Sequence, residues 1–153
     1  MSTPASLKLL IFGGTGVLGN AIADKFKAQG YKVTYGVRTV TNPGEQFQLP
    51  ITDGPVPELL KGELFDTVVF AQGANNNDSV INHANDDLNR LFEANVSFIS
   101  QTTQALLLHN LIKQRGKIVI LSSFWEQITR QEKMSYTVTK AAVGGLVRSM
   151  AVD

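Results

Sequence analysis

Apolar and polar positions along the chain alternate between short unbroken apolar runs and longer segments with helical spacing. Leu7 to Phe12 is an apolar run stopping at Gly13-Gly14, which predicts a buried strand. Val17 to Gln29 has apolar residues at helical spacing and stops at Gly30, a C-terminal cap signal. Lys32 to Val37 predicts a second strand, Gly44 to Leu49 a short third one, and Pro57 to Gly62 a brief helix. Thr67 to Ala71 predicts a strongly apolar strand running into Gln72-Gly73. After the polar loop Asn75-Asn76-Asn77-Asp78, a long helix is predicted from Asp86 to Gln114, ending near Gly116. Lys117 to Leu121 reads as another buried strand, ending in Ser122-Ser123, and the chain reads as helical from Ser135 onward. Apolar strands joined through helices predict an α/β fold, a Rossmann-type doubly wound parallel sheet covered on both faces, as one domain over 1–153. In such sheets ligands bind beyond the C-terminal strand ends, where the glycines, Gln72-Gly73 and Ser122-Ser123 fall.

Composition narrows the classes. The 153 residues suffice for one core, and 43% apolar with 18% charged residues is a globular balance. A net charge of +1 gives no general attraction to nucleic acid or anionic membranes, so neither is expected as a partner. Cysteine is absent, which excludes disulfides, thiolate catalysis and cysteine-based metal sites. That suits a reducing, cytoplasmic location, the expectation adopted here. No apolar run approaches the roughly 20 residues of a membrane span. Met1-Ser2-Thr3-Pro4 lacks the basic-then-apolar pattern of a signal peptide. His83 and His109 have no metal-ligand spacing, so no metal site is expected.

The segment Gly13, Gly14, Thr15, Gly16, Val17, Leu18, Gly19 joins the first strand to the first helix. Glycines let backbone amides approach a phosphate, and a helix N-terminus stabilises its charge. The strand–turn–helix setting turns a weak motif into a candidate dinucleotide site, although a tight turn without ligand fits the same residues. Acidic residues that hold ribose hydroxyls in NAD-preferring sites are missing between Asp24 and Glu45. Arg38 stands instead at the end of the second strand, suited to a 2′-phosphate, which favours NADP(H) over NAD(H). An ordinary solvated arginine is the competing reading.

Tyr136 and Lys140 are four residues apart and share a helix face. A nearby ammonium favours the phenolate form of a tyrosine, and Lys140 could also donate to ribose hydroxyls. Ser123, at the end of the preceding strand, could hydrogen-bond a substrate carbonyl. The same spacing also fits an exposed tyrosine and lysine on a surface helix. Asn95 falls within the stripe Leu88, Leu91, Phe92, Phe98, Ile99, Thr102, Leu106, where an apolar residue is expected. A buried amide must find partners, as a core asparagine fixing the helix or as a polar relay beneath an active site.

Together these residues resemble the short-chain dehydrogenase/reductase family. Ser123 precedes Tyr136 by 13 residues, like the family's Ser…Tyr-x-x-x-Lys, and Glu93-Ala94-Asn95-Val96 looks like its helix asparagine. Lys117 to Ser123 and Tyr136 to Val143 are similar to the family's usual strings. The resemblance implies hydride transfer between a nicotinamide and a small-molecule carbonyl or alcohol. Tyr136 would be the general acid or base and Ser123 would polarise the carbonyl. Lys140 would support Tyr136 and position the nicotinamide ribose, and Asn95 would support a water-linked proton path to Lys140. Gly73, in the turn after the fourth strand, joins Tyr136 and Lys140 as a candidate cofactor contact.

The chain also departs from the family pattern. Its spacing Gly13-x-x-Gly16-x-x-Gly19 resembles the extended and atypical branches. Asn-Asn-Ala-Gly is replaced by Phe70-Ala71-Gln72-Gly73, and Pro50, with Asp53 nearby, stands where an adenine-contacting Asp is usual. The link between the second and third strands is short, so a helix is expected to be missing there. The sequence stops at Asp153, in the helix carrying Tyr136, so truncation after that helix is expected. An exposed edge, or Ala141, Leu146, Val147 and Met150, could then support a homo-oligomer, although burial of those four within the chain is the favoured reading. Phe124, Trp125 and Ile128 fit a substrate pocket or ordinary packing equally. A dinucleotide-binding sensor or regulatory protein without catalysis is the alternative function. A sugar-nucleotide epimerase or dehydratase draws support only from the glycine spacing.

Overall fold

The computed structural model describes residues 6–52 and 54–153. Met1 to Pro4, read for a signal peptide, and Asp53, considered near adenine, lie outside the described residues. Two compact units are present, one spanning 1–72 and 102–119, the other 73–101 and 120–153.

The first unit is built on the strands β1 (Lys8–Phe12), β2 (Lys32–Val37), β3 (Gln46–Gln48), β4 (Phe65–Phe70) and β5 (Ile112–Ile120). Their order is β3-β2-β1-β4-β5, with β1 parallel to β2 and β4, and β2 parallel to β3. This order is Rossmann-type, in line with the doubly wound parallel sheet expected from the sequence. Leu9, Leu10, Ile11 and Phe12 are all fully buried, as continuous apolar strands of a covered sheet should be. Phe12 and Phe70 stack at 4.9 Å between ring centres at the ends of β1 and β4. Helix α1 (Val17–Ala28) follows β1, and Gly30, with φ +84°, supplies the left-handed turn that ends it. The expected brief helix is a 3₁₀ turn, Glu58–Leu60, and residues 38–45 between β2 and β3 contain no helix.

The long helix ends at Leu108, not Gln114, because Asn110 takes a left-handed conformation (φ 52°) and turns the chain into β5. Leu111 N then donates to Leu106 O at 2.9 Å, closing the helix end. Of the strand expected as buried Lys117 to Leu121, all but Leu121 falls in the last part of β5, and Val119 is 43% exposed, because β5 lies at the sheet edge.

The second unit holds helix α2 (Asn85–Phe92), a π turn (Glu93–Ser97), the start of α3 (Phe98–Leu108), a 3₁₀ turn (Phe124–Glu126) and α4 (Met134–Met150). The π turn adds one residue to the helix and rotates the buried stripe. Phe92, expected in that stripe, is therefore exposed, while Asn95 and Val96 are both buried. On α4, Ala141 and Val147 are exposed, against the reading that favoured their burial.

Candidate active site

In the first unit, β1 ends in a turn that only glycine can make. Gly13 has φ +74°, and a Cβ there would lie 2.5 Å from the backbone N of Gln72. A Cβ on Gly19 would collide with the carbonyl oxygen of Gly13, so the first turn of α1 sits directly on the loop. Gly16 N donates to Gly13 O at 3.1 Å and closes the turn. No side chain caps α1, and its first turn carries no acidic residue, which leaves its N-terminal amides open to an anion. Thr15, Gly16, Val17 and Leu18 are exposed around it. Arg38 is exposed at the end of β2 and makes no ion pair among the described residues.

In the second unit, the asparagine loop and α4 are tied together. Asp78 is 2% exposed and caps α4, accepting from Ser135 N at 2.9 Å through Oδ1 and from Met134 N at 3.2 Å through its carbonyl. Burial pushes the Asp78 carboxyl up, but hydrogen bonds from Ser135 and Asn76 and the charge of His83 hold it below its ordinary value. Lys133, itself buried, donates to Asn75 Oδ1 at 3.0 Å, to Asn76 O at 3.3 Å and to Asn77 Oδ1. The capped helix presents Tyr136 half-exposed, with the ammonium of Lys133 5.6 Å and that of Lys140 5.7 Å from its ring centre.

Lys140 is 5% exposed and donates to Leu121 O at 3.2 Å. Burial pushes its ammonium down from the ordinary value, and the Glu126 carboxylate opposes this only in part. Asn95, at the π turn, accepts from Ala74 N at 2.7 Å and donates to Ala74 O at 2.9 Å and Thr139 Oγ1 at 3.0 Å. It thus latches the loop after β4 onto α4. A Cβ on Gly73 would lie 3.3 Å from Asn95 Oδ1 and 3.6 Å from Lys140 Nζ. A side chain at Gly73 would therefore crowd the Asn95 amide and the Lys140 ammonium, both of which are buried.

Of the expected site, Asn95, Gly73, Tyr136 and Lys140 are brought together. Ser123 is half-buried, its hydroxyl accepts from Trp125 N at 3.3 Å, and no hydrogen bond joins it to Tyr136 among the described residues. Phe124 is 75% exposed rather than core. Lys133, Asp78 and Thr139 were missed by the sequence reading. Their signal lay in a lysine one turn before Tyr136 and in an amide-rich loop ending in an aspartate.

A family model described as enoyl-(acyl carrier protein) reductase matches residues 61–153, which include Asn95, Ser123, Tyr136 and Lys140. The chain belongs to the short-chain dehydrogenase/reductase family. This short-chain dehydrogenase/reductase chain is 28% identical over 128 residues to a gluconate 5-dehydrogenase of Gluconobacter oxydans (strain 621H), covering 84% of this chain and 48% of that protein. It is 25% identical over 133 residues to the oxidoreductase UcpA of Escherichia coli (strain K12), covering 86% and 49%. The chain spans about half the length of these relatives. In fold it resembles a short chain dehydrogenase family protein from Francisella tularensis subsp. tularensis SCHU S4, with TM-score 0.81 and 18% identity, covering 97% of this chain and 64% of that one. It also resembles the aldohexose dehydrogenase of Thermoplasma acidophilum, with TM-score 0.80 and 20% identity, covering 97% and 61%. No helix among the described residues is long and apolar enough to cross a membrane.

Proposed function

We propose that this chain carries out NADP(H)-dependent interconversion of a carbonyl and an alcohol on a small molecule. The observation that carries the reading is the half-exposed Tyr136 phenol flanked by the Lys133 and Lys140 ammonium groups, 5.6 and 5.7 Å from its ring centre. A bound nicotinamide supplies or accepts the hydride. In reduction, Tyr136 gives its proton to the oxygen of the former carbonyl; in oxidation it takes the proton from the alcohol. Ser123, whose oxygen accepts from Trp125 N, donates its hydroxyl proton to the substrate oxygen, and Lys140 holds the nicotinamide ribose. Asn95 keeps the loop before it in register and leaves one lone pair of Oδ1 for a water leading toward Lys140.

The residues present fit a dinucleotide. The Gly13–Gly19 loop has no room for side chains at Gly13 and Gly19, and it opens onto an uncapped helix N-terminus. The 2′-phosphate falls to Arg38, exposed and without an ion pair among the described residues, with no acidic residue from 25 to 44 to hold a 2′-hydroxyl instead.

Calorimetric titration with NADPH and NADH in parallel tests the cofactor assignment. NADPH is expected to bind at least about tenfold tighter, the equivalent of about 1.4 kcal/mol. Equal or tighter NADH binding would overturn the role of Arg38. A turnover screen starts from sugar acids and aldoses, the substrate classes named for two similar proteins. Tyr136→Phe is expected to lower turnover by about 10²–10⁴-fold with cofactor affinity retained. Unchanged turnover would remove Tyr136 from the chemistry, and absence of turnover in the wild type with retained binding would favour a sensor.

A further inference from the structure

Gly144 stands one helical turn after Lys140 on α4, so the two share a face of the helix. A Cβ on Gly144 would collide with Glu126 Oε1 and would lie 2.7 Å from Cδ and 3.2 Å from Cγ of the same side chain. The Glu126 side chain therefore occupies the place that a side chain at Gly144 would fill. The 3₁₀ turn fixes it there. Glu126 N donates to Ser123 O at 2.9 Å, and Ser123 Oγ caps the turn by accepting from Trp125 N at 3.3 Å. Glu126 is half-buried, and no ion pair takes up its carboxylate among the described residues.

The other groups around the buried Lys140 ammonium supply no negative charge. On α4 itself it faces Tyr136, with 5.7 Å to the ring centre; after β5 it meets the carbonyl of Leu121; and the backbone of Gly73 and the amide of Asn95 are uncharged. Lys133, the other cation at the Tyr136 ring, is taken up by Asn75, Asn76 and Asn77. A buried charge without a counter-charge gives up its proton. The Glu126 carboxylate opposes that loss at Lys140. We infer that Glu126, seated in the gap that Gly144 leaves, is the counter-charge of the Lys140 ammonium and a positioning residue for it. No ion pair joins the two groups among the described residues, so the carboxylate attracts from a distance and leaves the ammonium protons to Leu121 O and to the ribose. A charged donor holds a hydroxyl more strongly than a neutral amine does. The positioning role rests on the dinucleotide reading above; the charge pairing is measured without a ligand.

Glu126→Gln removes the charge and keeps the shape. Gly144→Ala keeps Glu126 but fills its seat. The group that must give way is the flexible end of a glutamate, and alanine suits a helix better than glycine, so this variant should melt no lower than the wild type. The full chain is prepared with lysine carrying ¹³C at Cε, and the Lys140 resonance is identified by its absence in Lys140→Met. Followed by NMR as pH rises from about 7, it should titrate at lower pH in both variants than in the wild type. Calorimetry with NADPH is run at a pH where Lys140 is charged in the wild type and neutral in the variants. There both variants should bind NADPH about fivefold more weakly. An unchanged Lys140 titration in Glu126→Gln overturns the inference. A shift in Glu126→Gln without one in Gly144→Ala overturns the seat at Gly144. Shifted titrations with NADPH affinity equal to that of the wild type overturn the positioning role. Absence of NADPH binding by the wild type overturns the dinucleotide reading and the positioning role with it, while the titration still decides the counter-charge.

Discussion

Lys140 is a charge held where burial opposes it. Desolvation lowers its ammonium from the ordinary 10.5, Glu126 recovers part of the loss, and its nitrogen donates a hydrogen bond to Leu121 O. In the alkaline range the folded chain therefore binds fewer protons at this position than the unfolded chain. The cost of burying the charge is fully present at neutral pH and fades as pH rises from the folded value toward 10.5. Replacing such a group by an apolar one of similar length is neutral or stabilising. Lys140→Met should melt no lower than the wild type at pH 7, with any gain shrinking toward about pH 10. The same variant should lose at least about 100-fold in turnover, as expected for the support of a general acid. Melting curves at the two pH values, read beside initial rates, check both halves. A clear loss of stability at pH 7 would make Lys140 a structural residue.

At the scale of elements, α4 depends on a loop that precedes it by many residues. Asp78 satisfies Ser135 N through its side chain and Met134 N through its carbonyl, while Lys133 gathers the amides of Asn75 and Asn77. This fixes the first turn of the helix, and with it Tyr136. Asp78→Ala should cost about 1–2 kcal/mol in urea unfolding, the usual range for a lost cap, and should lower turnover more than cofactor affinity. Unchanged unfolding would mean that the cap carries no stability.

The fold order, the glycine turn, Asn95, Tyr136 and Lys140 were legible because each is written in local periodicity, glycine placement or fixed spacing. The Asp78 and Lys133 contacts were not, since 55 or more residues separate Lys133 from Asn77 and Asp78 from Ser135 in sequence, and nothing local announces the pairing. The helix end at Asn110 is not marked by glycine in the sequence, because asparagine can also hold the left-handed cap, and the first glycine after it is Gly116. The π turn at Glu93–Ser97 was invisible because a strict 3.6-residue period has no place for an inserted residue, which is why Phe92 was expected inside and is exposed.

At the scale of the whole chain, the two ends of the strands in the sheet-bearing unit carry different residues. The C-terminal ends carry the glycine loop, Arg38 and Gln72. The N-terminal ends carry a cluster of opposite charges. Lys8 meets Glu63 at 2.6 Å and Lys32 meets it at 3.0 Å, while Asp66 accepts from Lys113 at 2.6 Å and from the backbone of Lys8 at 2.8 Å. The Lys8 hydrogen bond, above all, holds the Glu63 carboxyl below its ordinary 4.5, against burial. Burial pushes Asp66 up from 3.8, but its bonds to Lys113 and Lys8 outweigh it and leave it lowered. Both carboxylates thus bind fewer protons in the folded chain than in the unfolded one. Their stabilisation is full above about pH 5 and is lost as pH falls through their folded values. A Glu63→Gln, Asp66→Asn double variant should lose about 1–2 kcal/mol at pH 7, a modest figure because water screens the outer lysines. Its stability should converge on that of the wild type in acid, where the wild-type carboxylates are protonated as well. Since neither residue lies at the strand ends where the dinucleotide is proposed to bind, NADPH affinity should not change. Urea titrations from pH 7 down to about pH 3, with calorimetry at pH 7, test both statements. A gap that stays constant with pH would show that the carboxylates stabilise by packing rather than by charge, and a fall in affinity would show that the two ends of the sheet are coupled.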